Sequence, residues 1–225
     1  KCPTAIYGQD FSAHEEHGRM VYQDEFSLVD APLPRLPGRH QLGNAAAAIR
    51  AVKAAGFSVT DRMIEKAMTS VEWPGRLQRV TRGRIFDLAP KGSEIWIDGG
   101  HNPGAGEVIA EAMAGFEEKS ARPLVLIAGM INTKDQVGYF KAFAGIAEYV
   151  FTVPIHGSDA AIDPVVLAHA VFDAGLTAAP TASIEEALEE LAKRLDPAKP
   201  APRILIGGSL YLAGNALALN GTPPQ

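Results

Sequence analysis

Several things are scarce in this sequence, and each shortage closes off a class of function. It has one cysteine, Cys2, so no internal disulfide can staple the chain. That suits a reducing, cytoplasmic setting. No apolar run approaches the ~18 residues needed to span a bilayer. The longest, residues 124–131, reads as a buried strand running into a turn. The N-terminus lacks the charge, apolar stretch and cleavage site of a secretory signal. It also lacks a starting Met, which suggests a trimmed chain. Basic residues (21 Lys and Arg) fall short of acidic ones (26 Asp and Glu), giving a net charge of -5. Such a balance offers no long-range attraction to nucleic acid or an anionic membrane, so any bound phosphate must be held by local geometry. There is no Gly-Lys dipeptide, which excludes a Walker A loop. No His/Cys cluster suggests zinc, and no G-x-S-x-G elbow marks a hydrolase.

What remains is an ordinary globular composition, 47% hydrophobic and 21% charged, over 225 residues. That is enough for one large or two modest domains. Residues 5–7, 19–23 and 26–29 read as short strands of a small antiparallel unit. Pro32, Pro34 and Pro37 then interrupt regular structure. An Ala-rich helix is expected from about Gln41 to Ala55, stopped by Gly56, and a second from a Thr60 or Asp61 cap to about Ser70. From about Arg82 apolar strands alternate with amphipathic helices. Strands are expected at 95–98, 124–129, 149–153, weakly near Thr177, and at 203–207. Helices should follow from Gly104, Lys134, Asp163, Ser183 (with Glu186 completing a capping box) and Ser209. Repeated βα units predict an α/β fold: a mostly parallel sheet with helices on both faces and right-handed crossovers. The division is expected at residues 1–81 and 82–225. The final Gly-Thr-Pro-Pro-Gln should be loose.

In such sheets ligands sit beyond the carboxyl ends of the strands. Three strand-to-helix turns stand out there. Ile97-Asp-Gly-Gly-His-Asn-Pro103 places Asp98 at a strand end, two glycines in the turn, and Asn102 and Pro103 as a helix start. Capping explains Asn-Pro, but not a carboxylate and the His101 imidazole three residues apart. In the second turn Lys134 stands near a helix start; alone, a plain surface lysine is the better reading. The third, Gly207-Gly-Ser209, suits an anion, although Ser209 as a simple cap explains it nearly as well. A dinucleotide fingerprint is weak here: Gly104-Ala-Gly106 is followed by Ile109 where the third glycine belongs, and no acidic residue ends the next strand. Two more candidates come earlier. Asn44, in the first turn of its helix, could donate and accept through its amide or be a buried structural group. Arg76, in Trp73-Pro-Gly-Arg76, holds a guanidinium on a stiff loop suited to phosphate oxygens. With Arg79, Arg82 and Arg84 it equally fits a solvated basic strip.

In combination and order these features resemble the folylpolyglutamate synthase/dihydrofolate synthase branch of the Mur-ligase superfamily. The carrying motifs are L-P-G-R-H-Q-x-x-N-A at Leu36 to Ala45, W-P-G-R-L at Trp73 to Leu77 and D-G-G-H-N-P at Asp98 to Pro103. A turn ending in Lys134-Asp135 and G-S-L-Y-L-A-G at Gly208 to Gly214 complete the set. The match covers nearly the whole chain, with Gly100 where alanine is more usual. The resemblance implies an ATP-dependent ligase that joins glutamate to dihydropteroate or folate through an acyl phosphate. It implies a Rossmann-like C-terminal domain preceded here by the end of the central ATPase domain. The phosphate-binding loop and Mg2+ ligands would lie upstream of Lys1, leaving this chain inactive alone. It further implies that Asn44, Arg76 and Asp98 contact ATP, and that His101 and Ser209 lie near the γ-phosphate and incoming glutamate, with His101 catalytic. Lys134 would be a glutamate contact by analogy with more distant Mur ligases. Two other readings stay open: a Mur-type ligase with a cell-wall substrate, and a non-catalytic nucleotide-binding module.

Overall fold

The computed structural model describes residues 4–223. Cys2, and the last two residues of the tail expected to be loose, lie outside the described residues. Among the described residues no helix is long and apolar enough to cross a membrane. The chain divides between Trp73 and Pro74 into two compact units.

The first unit opens with three strands, β1 (Phe11–Glu16), β2 (Arg19–Asp24) and β3 (Leu28–Pro32), paired antiparallel in the order β1-β2-β3. Two helices follow, α1 (His40–Ala54) and α2 (Asp61–Ser70). The small antiparallel unit agrees with expectation; its first strand does not. Residues 5–7 instead lead into a turn at 8–10: the Asp10 carboxylate accepts the Ile6 N–H at 2.6 Å, and Tyr7 makes only an isolated bridge to Phe11. The strand beside it, Phe11-Ser-Ala-His-Glu-Glu16, ends in charge and so hid its alternation. Phe11, Ala13, Met20, Tyr22, Val29 and Ala31 form one buried face, which packs on Ala45, Ala46, Ile49, Ile64 and Met68 of the helices. Thr60 caps α2 by accepting the Met63 N–H, and Gly56 leaves α1 with φ 82°. The other side of α1 presents Ala47, Ala48, Ala51 and Val52 to solvent.

The second unit is a six-stranded sheet in the order β4-β5-β9-β6-β7-β8. Its strands are β4 (Gln78–Val80), β5 (Glu94–Ile97), β6 (Leu124–Ala128), β7 (Ala147–Thr152), β8 (Ala178–Pro180) and β9 (Arg203–Gly207). Every pairing is parallel except β4 with β5. That hairpin-like pair assigns residues 74–81 to this unit, eight residues earlier than the Arg82 start expected from sequence. The intervening helices are α3 (Arg84–Leu88), α4 (Pro103–Lys119), α5 (Gln136–Lys141), α6 (Pro164–Asp173), α7 (Ile184–Arg194) and α8 (Leu210–Leu219). α5 starts two residues later than expected, because Asp135 takes the cap and accepts the Gly138 N–H.

Strand alternation splits the core in two. Trp96, Leu126, Val150 and Leu205 face α4, α5 and α6. Ile95, Ile97, Val125, Ile127, Phe151, Ile204 and Ile206 face α3, α7 and α8. The central strands are buried on both faces and so carry continuous apolar runs. At the entry of β9, Arg203 is 2% exposed, paired with Glu94 at 3.0 Å and Glu117 at 3.3 Å, and donates to the Phe116 and Ser120 carbonyls. It ties β5, β9 and the end of α4 together.

Candidate functional site

The carboxyl ends of β5, β9 and β6 meet at one edge of the second unit. The Asp98 N–H donates to the Ile206 carbonyl at 3.0 Å, and the Gly129 N–H to that of Gly207 at 3.2 Å. The approach is too close for side chains. A Cβ on Gly207 would lie 3.0 Å from the Asp98 carbonyl oxygen, and one on Gly208 3.0 Å from that of Gly129. Gly208 also has φ 97°, which L side chains rarely adopt. The two glycines thus serve the meeting of the strands and the start of α8.

Asp98 is 3% exposed. Its Oδ2 accepts the Leu77 N–H at 2.8 Å and its Oδ1 the Gly100 N–H at 2.6 Å. Burial and these bonds make it a structural anchor of the turn and of the loop before β4. That loop is tightly wound: Gly75 has φ 71° and Leu77 φ 39°. The Gly99 N–H donates to the Gly75 carbonyl at 2.8 Å, and the Gly75 N–H to Gln78 Oε1 at 2.9 Å. Gly75 and Leu77 are buried, while Arg76 between them is exposed. Within its unit, Arg76 has no hydrogen-bond or ion-pair partner among the described residues. Arg84, by contrast, pairs with Glu185 at 3.7 Å, and Arg79 lies over Trp96 at 5.8 Å. Arg82 is exposed and, like Arg76, has no side-chain hydrogen-bond or ion-pair partner among the described residues of its unit, so what sets Arg76 apart is its place between the buried Gly75 and Leu77.

His101 is half-buried, and its Nδ1 lies 2.8 Å from the Gly99 carbonyl oxygen. A carbonyl only accepts, so Nδ1 carries the hydrogen and Nε2 keeps a lone pair in the neutral ring. Asn102 caps α4, its Oδ1 accepting the Ala105 N–H at 2.9 Å, and Pro103 opens the helix. Ser209 is 3% exposed and caps α8, its Oγ accepting the Tyr211 N–H at 3.1 Å. Its own hydroxyl hydrogen remains available as a donor. Lys134 is half-buried in the turn after β6, without a partner among the described residues of its unit. The first turn of α5 packs on Pro103, 2.7 Å from a Cβ built on Gly138, which sets the Lys134 turn beside the start of α4. Gly106, half of the apparent dinucleotide fingerprint, has a packing role: its Cβ would lie 2.6 Å from the Tyr139 carbonyl oxygen.

Arg76, Asp98, His101, Lys134 and Ser209 thus share the strand-end edge of the second unit. Asn44 belongs to α1 of the first unit, where it is exposed and its amide donates to Gln41 Oε1 at 3.0 Å. The exposure removes the reading of Asn44 as a buried amide. One residue at the edge went unread in the sequence. Tyr139 of α5 is 1% exposed, with its hydroxyl 3.4 Å from a Cβ placed on Gly207. Burial, and then the nearby Asp98 carboxylate, push its phenol well above the ordinary tyrosine range. Nothing in the sequence separates it from the core aromatics Phe140 and Phe143.

No protein-family model matches the chain. Folylpolyglutamate synthase of Lacticaseibacillus casei is 27% identical over 218 residues, covering 92% of this chain and 46% of the relative. A probable bifunctional folylpolyglutamate synthase/dihydropteroate synthase of Halobacterium salinarum is 32% identical over 216 residues, covering 95% of this chain and 24% of the relative. The chain matches the folylpolyglutamate and dihydrofolate synthases over most of its length. It spans about half the length of the Lacticaseibacillus casei synthase. Solved synthases share the fold. Escherichia coli FolC in complex with DHPP and ADP superposes with a TM-score of 0.76 at 20% identity, covering 95% of this chain and 46% of that one. Mycobacterium tuberculosis folylpolyglutamate synthase complexed with ADP and AMPPCP gives 0.75 at 25% identity, covering 98% and 50%.

Proposed function

We propose that this chain supplies the C-terminal portion of an ATP-dependent ligase that adds glutamate to dihydropteroate or folate through an acyl phosphate. The observation that carries the reading is Arg76: an exposed guanidinium, without a partner among the described residues of its unit, on a pinned loop at the strand-end edge. Fixed cationic and N–H donors at such an edge suit an oxyanion whose charge must be held away from water. The ADP, AMPPCP and DHPP bound by the solved synthases agree with this chemistry.

In this proposal Arg76 holds phosphate oxygens of the nucleotide, and Asn44 of α1 is separately read as a nucleotide contact. The Ser209 hydroxyl donates where the activated carboxylate meets the amine. His101 Nε2 accepts the proton that the glutamate amine gives up, while its Nδ1–H on Gly99 fixes the ring. Lys134 pairs with a glutamate carboxylate. Among the described residues no group of three or more His, Cys, Asp or Glu side chains could hold a metal. The Mg2+ ligands and the phosphate-binding loop are proposed to belong to a part of the ligase that this chain does not span.

The test is phosphate release that requires ATP, glutamate and dihydropteroate together, measured on the protein made from its whole reading frame. Turnover is expected there. The 225-residue chain alone should give none, because positioning and charge neutralisation contribute several orders of magnitude to phosphoryl transfer. Robust turnover by this chain alone would overturn the placement of the catalytic centre. Tight ADP binding without turnover by the whole protein would favour the non-catalytic nucleotide-binding reading.

A further inference from the structure

We infer that a pocket at the amino ends of β6 and β7 is a binding site for a single-ring aromatic carboxylate. It lies at the opposite end of the sheet from the strand-end edge and uses none of the residues proposed to act there. The pocket holds about 160 Å3 and is walled by Val125 and Phe151 of the strands, Leu191 and Leu195 at the end of α7, and Pro123 and Pro202. Val125, Phe151, Leu191 and Pro202 are buried, so the chamber is apolar. An apolar cavity of about 150 Å3 stays dry and accepts a benzene ring. The space therefore suits one ring and little more.

The mouth is polar, carrying Glu148, Arg194, Asp196 and Lys199. Three of these are already engaged. Lys199 donates to Glu148 at 2.7 Å, and Asp196 accepts the Ala198 N–H at 2.9 Å. Arg194 is different: its guanidinium has no hydrogen bond or ion pair among the described residues of its unit. Glu190, on the same helix, is paired with Lys193 instead, at 2.7 Å. What holds Arg194 is stacking. Its guanidinium carbon lies 4.7 Å from the Tyr149 ring centre and 5.4 Å from that of Phe151. Contacts to ring faces place the guanidinium without using its N–H groups, which leaves the fork free for the two oxygens of a carboxylate. An apolar chamber for one ring beside a free, positioned fork reads as a site for an aromatic acid. Entry needs no rearrangement of the core. The Lys199–Glu148 pair at the mouth is about half exposed on both sides, 53% and 51%, so it contributes little and can part.

The test titrates the isotope-labelled chain with benzoate, toluene and acetate and follows the backbone amides by NMR. Benzoate should saturate with a Kd on the order of 1 mM or tighter. It should shift the Tyr149, Phe151, Leu191, Arg194 and Leu195 amides and leave those of Gly99, Gly207 and Gly208 in place. Toluene, the ring alone, should shift the same amides with about tenfold weaker affinity, and acetate, the carboxylate alone, should not saturate. Arg194→Gln keeps a stem over the rings and removes the charge. R194Q should therefore weaken benzoate about tenfold, an effect of one charged hydrogen bond, and leave toluene unchanged. Leu195→Trp fills the chamber and should abolish both, with thermal melts to show that it is folded. R194Q alters an exposed position, so the benzoate and toluene contrast stands on it alone if L195W does not fold. No saturable benzoate shift, or shifts confined to the strand-end edge, would overturn the inference. So would benzoate binding that survives in folded L195W. Equal affinities for benzoate and toluene with a silent R194Q would remove the carboxylate from the assignment and overturn it as well.

Discussion

At the scale of single residues, a buried charge is held by several partners at once. Asp24 in the first unit shows this. Burial works against its carboxylate, but donors from Tyr22, the Phe26 N–H and Ser27, with Lys53 nearby, outweigh it and lower its pKa to about 2 from 3.8. A carboxyl whose folded pKa is depressed contributes stability above its unfolded value and loses it as pH falls through the folded one. The contribution, on the order of 2 kcal/mol, should therefore be complete above about pH 4 and fade toward pH 2. Thermal melts of the parent and Asp24→Asn check it: the gap in Tm should narrow between those values, and a constant gap would show that Asp24 titrates as an ordinary carboxylate. Gly208 makes a second residue-scale case. An alanine there faces φ 97° and the Gly129 carbonyl oxygen at 3.0 Å, so Gly208→Ala should lower stability by about 1–3 kcal/mol in denaturant unfolding.

At the scale of elements, the parallel strands were legible because burial on both faces writes them as short unbroken apolar runs, as in Leu124 to Ala128 and Arg203 to Gly207. The helix starts were legible because Thr60, Asn102, Asp163, Ser183 and Ser209 all accept the N–H groups that a cap should accept. β4 and α3 were not. They are three and five residues long, and their place is set by pairing with β5 and packing on α7 and α8, which no local pattern records. Arg203 was equally silent: it looked like the polar start of a strand, yet it is a buried hub. Removing one side of such a network leaves buried charge uncompensated, so Arg203→Ala should cost about 3–5 kcal/mol. Unfolding by urea measures this, and a loss below 1 kcal/mol would show that Glu94 and Glu117 simply turn to water. The candidate site was legible in its turns and not in its wiring. Residue spacing marked Asp98, His101 and Ser209, but only the fold shows that Asp98 faces inward to Leu77 while His101 is held by Gly99.

At the scale of the molecule, the chain consists of two compact units; of the residues proposed to meet the ligands, Asn44 is on the first, and Arg76, His101, Lys134 and Ser209 are on the second. The account's central claim is that the strand-end edge of the second unit handles nucleotide through Arg76 and the amine-acceptor step through His101 and Ser209. Steady-state kinetics test it most directly, on Arg76→Ala, His101→Ala and Ser209→Ala in the whole reading frame, with ATP and glutamate each varied in turn and melts run in parallel. The account predicts a raised KM for ATP in R76A. In H101A and S209A it predicts a raised KM for glutamate or a lowered kcat, each change roughly ten- to a hundredfold. Unchanged kinetic constants in all three variants, with only the melting temperatures lowered, would contradict it.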